Sequence, residues 1–179
     1  MTAPSKAMTV EEFEEFALSS ENVERRLEYI GGEIVEVVSN GTSSYIATRI
    51  IIKIGMYLET HSIIAHMTAP DGGYKIAGED YMPDVALVLT AKPSGETWVT
   101  DTPVLVVEVI SPTDRPGKVN IKVSNYLSEG IIVWLIDPDD ETVQVHQSGQ
   151  AVQIFGIKDM LKLEGILPDF TLPVKTIFK

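Results

Sequence analysis

The sequence predicts an α/β domain in which a mixed central sheet is flanked by helices and extended by antiparallel hairpins. Three observations carry that expectation. Residues 85–89, 104–110 and 131–136 are apolar on both alternating faces, the pattern of strands buried between layers. Residues 43–59 and 117–128 repeat apolar side chains at helical spacing. Short alternating runs separated by Gly-Gly, Asn-Gly and Asp-rich breaks read as hairpins and turns. A length of 179 residues and a hydrophobic content of 44% suit one domain, residues 1–179, around one core.

Taken in order, residues 1–7 form a polar arm with Pro4, expected to be flexible. Thr9 and Glu12 have the spacing of a capping box, and Phe13, Phe16 and Ala17 give the helix they start its apolar side. Leu27–Ile30 and Glu33–Val38 read as two strands joined at Gly31-Gly32. Glu33 and Glu36 fall on opposite faces of the second strand, and one of them should be less exposed than its strand neighbours. Thr42 or Ser43 is expected to cap the next helix, whose buried stripe is Ile46, Ile50, Ile54 and Tyr57 or Leu58. His61 ends that helix, and His66 lies in a short strand over residues 63–67. Neither has a metal-ligand partner at a recognised spacing. Tyr74–Ile76 reads as a strand, Gly78-Glu79-Asp80 as a loop, and Ala91–Thr102 as a polar connection whose Trp98 packs on a neighbour. After the helix over 117–128 and the strand over 131–136, residues 137–141 form a turn without calcium-loop spacing. Val143 and Val145 then alternate with Gln144 and His146, in a strand of edge character. The tail, with Leu161, Leu163, Leu167, Leu172, Ile177 and Phe178, reads as short strands and a cover.

Two acidic residues interrupt the apolar strands. Glu108 shares a face with Val104, Val106 and Ile110, and Asp84 shares one with Ala86 and Val88. A carboxylate in a central strand is costly unless a cation or metal holds it. If the two strands are neighbours, Asp84 and Glu108 converge at one edge of the sheet. Lys122 borders the apolar stripe of the following helix, formed by Val119, Val123, Tyr126 and Leu127. Two carboxylates and a lysine suit a hard divalent cation and a phosphate ester. Mg²⁺ is the expected cofactor, with Mn²⁺ as its substitute, and Glu33 could complete the metal's shell from the hairpin.

The composition bounds the alternatives. With no cysteine, the chain has no disulfide, thiol nucleophile or Cys-based zinc site. No apolar run approaches a membrane span and the N-terminus lacks a signal-peptide core, so a cytoplasmic protein without membrane contact is expected. A net charge of −12 argues against a broad nucleic-acid surface, and any DNA should be held weakly or locally. Arg115, Lys118 and Lys122 are the local basic group beside the proposed site.

Over nearly the whole chain the sequence resembles the Uma2 (DUF820) family of restriction endonuclease-like proteins, within the PD-(D/E)XK nuclease superfamily. The resemblance rests on RLEYIGGEIVEVV, MPDVALV, PVLVVEVISPTDR and KVSNYLSEGIIVWLIDP. It implies a restriction endonuclease-like fold and metal-dependent hydrolysis of DNA phosphodiester bonds. It also implies Glu33, Asp84, Glu108 and Lys122 as catalytic residues, the three acids being metal ligands. The lysine of the family motif would here have moved to the helix, because Ile110 stands two residues after Glu108. The chain departs from the family at Ser43-Ser44-Tyr45, where a histidine is common, and at Lys118, where an aspartate is common. A nuclease acting on both strands of a duplex is expected to be a two-fold homodimer, with the apolar tail as a possible contact. The competing expectations are a nuclease-fold protein that has lost catalysis and serves as an oligomeric or binding scaffold, and a hydrolase of small nucleotides in a closed pocket.

Overall fold

The structure, a computed structural model, describes residues 8–38, 40–95 and 97–179; the arm expected at residues 1–7 lies outside them. Its organising layer is a six-stranded mixed sheet. The three two-face apolar runs supply the interior strands β6 (Val85–Val88), β8 (Leu105–Val109) and β9 (Ile132–Asp137), as their pattern predicts. Strand β8 pairs antiparallel with β6 and parallel with β9. Strand β3 (His66–Thr68) closes one edge, and β10 (Thr142–His146) followed by β11 (Gln153–Phe155) the other. β10 is therefore one strand in from the edge, which belongs to β11. Asp137 makes the turn between β9 and β10 by accepting hydrogen bonds from the N–H groups of Asp139 and Asp140.

Both faces of this sheet are covered. On one face Leu105, Val107 and Val109 pack against helix α2 (Gly41–Thr60), the hairpin of β12 (Met160–Leu163) with β13 (Leu167–Pro173), and helix α4 (Lys175–Phe178). The tail leucines Leu161, Leu163, Leu167 and Leu172 are all buried in that core. They pack inside the chain. On the other face Ala86, Val88, Val106 and Val133 pack against helix α3 (Pro116–Ser128) and a second sheet. That sheet has five strands in the order β2 (Glu33–Glu36), β1 (Leu27–Ile30), β5 (Glu79–Tyr81), β4 (Gly73–Ile76) and β7 (Trp98–Val99). Helix α1 (Val10–Ala17), begun by the capping box at Thr9 and Glu12, lays Phe13 and Ala17 on its outer side with Leu27, Tyr29 and Trp98. Trp98 packs there as expected, tilted against Phe13.

Three local expectations are corrected. Asn40, rather than Thr42 or Ser43, caps α2, its side chain accepting from the Ser43 N–H at 2.9 Å. Glu79-Asp80 is a strand and not a loop. The two-residue turn Ala77-Gly78, with φ of 53° and 77°, folds β5 back on β4 in the manner of Gly31-Gly32, at 56° and 77°. Glu33 and Glu36 are both exposed, because β2 is an edge strand and each glutamate reaches a cation at the surface: Lys118 and Arg25. Among the described residues no helix is long and apolar enough to cross a membrane.

Candidate active site

The antiparallel register that sets Val85 opposite Val107 brings Asp84 and Glu108 to adjacent positions at one end of the strand pair. Pro83 ends the ladder there, and a side chain takes over its last hydrogen bond: the Val109 N–H donates to Asp84 Oδ2 at 2.8 Å. Glu108 lies on the face of Val106, beneath α3. That helix starts with Pro116 in its first turn and buries Val123 and Tyr126 against the sheet, which carries Lys122 inward with them. Lys122 Nζ lies 2.8 Å from Glu108 Oε1 and 2.8 Å from Glu28 Oε1. Tyr126 donates its hydroxyl to Glu108 Oε1 at 2.7 Å, and the Met82 N–H donates to Glu28 Oε1 at 2.7 Å. The three ionic side chains are deeply set, with 4% of Glu28, 10% of Lys122 and 14% of Glu108 exposed.

The charges of this group do not cancel. Three carboxylates face one ammonium in a desolvated place, with the Arg26 guanidinium acting on Asp84 from the cleft wall. Burial, followed by the charges of Glu28 and Asp84, raises the Glu108 carboxyl to about 7 against the pull of Lys122. Burial also raises Asp84, while the Val109 N–H and Lys122 draw it back. Burial alone would lower the Lys122 ammonium, but Glu108 and Glu28 outweigh it and hold the group above its ordinary value. Burial pushes the Tyr126 phenol up as well, so it stays protonated and donates.

The structure thus brings together three of the four residues expected from sequence: Asp84, Glu108 and Lys122. Glu33 stands apart. It is 61% exposed and pairs with Lys118 at 2.9 Å, and Lys118 also donates to the Ile30 carbonyl at 2.7 Å. The acid that joins the group is Glu28, five residues earlier, on the neighbouring strand of the same hairpin. Its signal in the sequence is slight: it shares a strand face with Ile30, as Glu108 does with Val106.

These side chains form the floor of a cleft of about 610 Å³ between β2, the first turns of α2, the segment 108–115 and α3. Among the described residues no three histidine, aspartate or glutamate side chains are grouped to hold a metal ion. The donor set nevertheless fits a divalent cation of the magnesium kind, which takes one or two carboxylates and keeps waters or substrate phosphates for its other positions. Asp84 and Glu108 supply carboxylate oxygens of that kind.

The chain matches the Uma2 family, described as "Putative restriction endonuclease", over residues 10–175. No curated protein matches it. Among solved structures it is similar to a putative nuclease belonging to DUF820 from Anabaena variabilis ATCC 29413. The two share 22% sequence identity at a TM-score of 0.81, over 95% of this chain and 97% of that one. That likeness establishes a common architecture, a mixed sheet flanked by helices with added antiparallel hairpins. The family match extends over nearly all of the folded chain, and the chain belongs to the Uma2 family.

Proposed function

We propose that the protein is a metal-dependent endonuclease that hydrolyses DNA phosphodiester bonds, using Mg²⁺ or in its place Mn²⁺. The observation that carries this reading is the convergence of Asp84, Glu108 and Lys122, distant in sequence, on the floor of one cleft with excess negative charge. Asp84 and Glu108 would hold the cation. When bound, such an ion neutralises charge at a phosphate and acidifies water. Lys122, which stays charged, would face the phosphate and stabilise the charge that develops in the transition state. Tyr126 fixes the Glu108 carboxylate through its hydroxyl, and Glu28 fixes Lys122 through the shared 2.8 Å contact. We further propose a two-fold homodimer.

One observation favours the rival scaffold reading. The ammonium of Lys122 already bridges Glu28 and Glu108, so the site can stand as a buried ion cluster without metal. Calorimetry with Mn²⁺, paired with cleavage of mixed DNA substrates, separates the two. Wild type should bind Mn²⁺ in the micromolar to millimolar range and cleave DNA. Glu108→Ala and Asp84→Asn should lose cleavage by about 10²–10³-fold, the scale expected when a transition-state electrostatic contact is removed. Wild type that binds no Mn²⁺ would leave the scaffold reading in its place.

A further inference from the structure

The cleft's depth and charge restrict the form of nucleic acid that can reach its floor. Six carboxylates line it (Glu28, Glu36, Asp71, Asp84, Glu108 and Asp114) against four cations. The cations are largely engaged: Arg26 with Asp71 at 3.2 Å, Lys118 with Glu33 at 2.9 Å, and Lys122 with Glu28 and Glu108. Arg115 lies close enough to Glu33 to lower its carboxyl. Duplex DNA carries about one charge per 1.7 Å of axis, and duplex-binding proteins neutralise several phosphates with unpaired lysine and arginine. Apart from Arg115 this cleft has no such surplus. Its walls are instead aliphatic, with Ile34, Val35, Val38, Ile51, Ile110 and Val119, and Ile34 and Val38 are 36% and 63% exposed. A duplex keeps its base faces within the stack and offers such walls nothing. A single strand exposes its base faces and is thin enough for one phosphate to descend to buried groups. A volume of about 610 Å³ is in the range that encloses a small ligand, on the scale of one or two nucleotides.

We infer that the site takes single-stranded DNA, one phosphate descending with its divalent cation to Asp84, Glu108 and Lys122 while the adjoining base lies against Ile34 and Val38. The inference rests on the nuclease reading and narrows its substrate. Binding tests it apart from cleavage. Fluorescence anisotropy of the full chain in Ca²⁺ would compare one labelled oligonucleotide alone and annealed to its complement, over a salt series. The single strand should bind at least tenfold more tightly. Its affinity should fall with salt less steeply than expected for a duplex-binding protein with many phosphate contacts. The double variant Ile34→Ser/Val38→Ser, at two partly exposed positions, should weaken single-strand binding several-fold and leave the unfolding transition in place. A duplex bound as tightly as the single strand overturns the inference, and so does a failure to bind either. Cleavage is then followed on the same oligonucleotides in Mn²⁺. A preferred single strand that is bound but never cut retains the binding preference and removes the nuclease reading.

Discussion

Lys122 holds two glutamates at 2.8 Å each, and both lie with it below the surface. Its removal would leave Glu28, Asp84 and Glu108 facing one another with only Arg26, which acts on Asp84, as a compensating charge. Breaking a buried ion pair from one side typically costs about 3–5 kcal/mol. Lys122→Met should therefore lose about 3 kcal/mol or more in urea unfolding at pH 8. Added Mn²⁺ should restore more stability to the variant than to wild type, since the ion would supply the missing charge. If Mn²⁺ raises the midpoint of neither protein, the group is a structural ion cluster. Glu28→Gln removes charge but keeps an oxygen near Lys122. It should lower kcat by about tenfold while changing Mn²⁺ affinity less, as befits a group that positions Lys122 rather than the metal. Asp84, Glu108 and Lys122 were legible in the sequence because each breaks or borders an apolar pattern. Glu28 was not. A glutamate between Leu27 and Tyr29 in a hairpin strand reads as solvent-facing. Only the packing of α3 over β1 makes its face an interior one.

At the scale of elements, the long apolar runs carried the fold. A strand apolar on both faces has only an interior place to go, so β6, β8 and β9 were recoverable without tertiary information. Strand β5 was not, because its glutamate and aspartate suggest a loop and Ala77 hides a turn that glycine would have announced. Within β5, Asp80 is wholly buried beside Tyr29 and Lys75 of the adjacent strands, and neither carboxylate oxygen has a hydrogen-bond partner. Burial, then Glu14, raises its carboxyl from 3.8 to about 7; Lys75 opposes the rise and Glu11 adds to it. A raised native value means that the unfolded chain ionises first as pH increases. The contribution of Asp80 is thus fully present below about pH 3.8 and is lost as pH climbs through about 7. That span corresponds to about 4 kcal/mol. Asp80→Asn should be more stable than wild type toward urea at pH 8, with the gain shrinking toward pH 4. A difference independent of pH would show that Asp80 ionises in the folded protein as it does in the unfolded chain.

For the whole molecule, the balance of charge and apolar surface decides what it can associate with. A net charge of −12 disfavours close approach of two chains unless apolar surface offsets it. The sequence suggests the tail for that role, but Leu161, Leu163, Leu167 and Leu172 lie in the chain's own core. Among the apolar side chains that remain exposed is a row on the outer side of α2: Tyr45, Ile52 and Met56, with Arg49 stacked over the Tyr45 ring. Spacings of seven and four residues place these side chains along one side of a 20-residue helix roughly 30 Å long. They turn away from the cleft, which α2 lines with Ser43, Ala47 and Ile51. Two copies of such a row can meet about a two-fold axis, because an isologous contact needs only one surface complementary to itself. Both clefts would stay open, as the proposed activity requires. Static light scattering should then give the mass of two chains, with more dimer at higher salt as the acidic surfaces are screened. Met56→Glu should give a monomer of unchanged unfolding midpoint. A wild-type monomer at every salt concentration would dismiss the dimer, and it would leave the single-strand inference intact, since one cleft is enough to cut one strand.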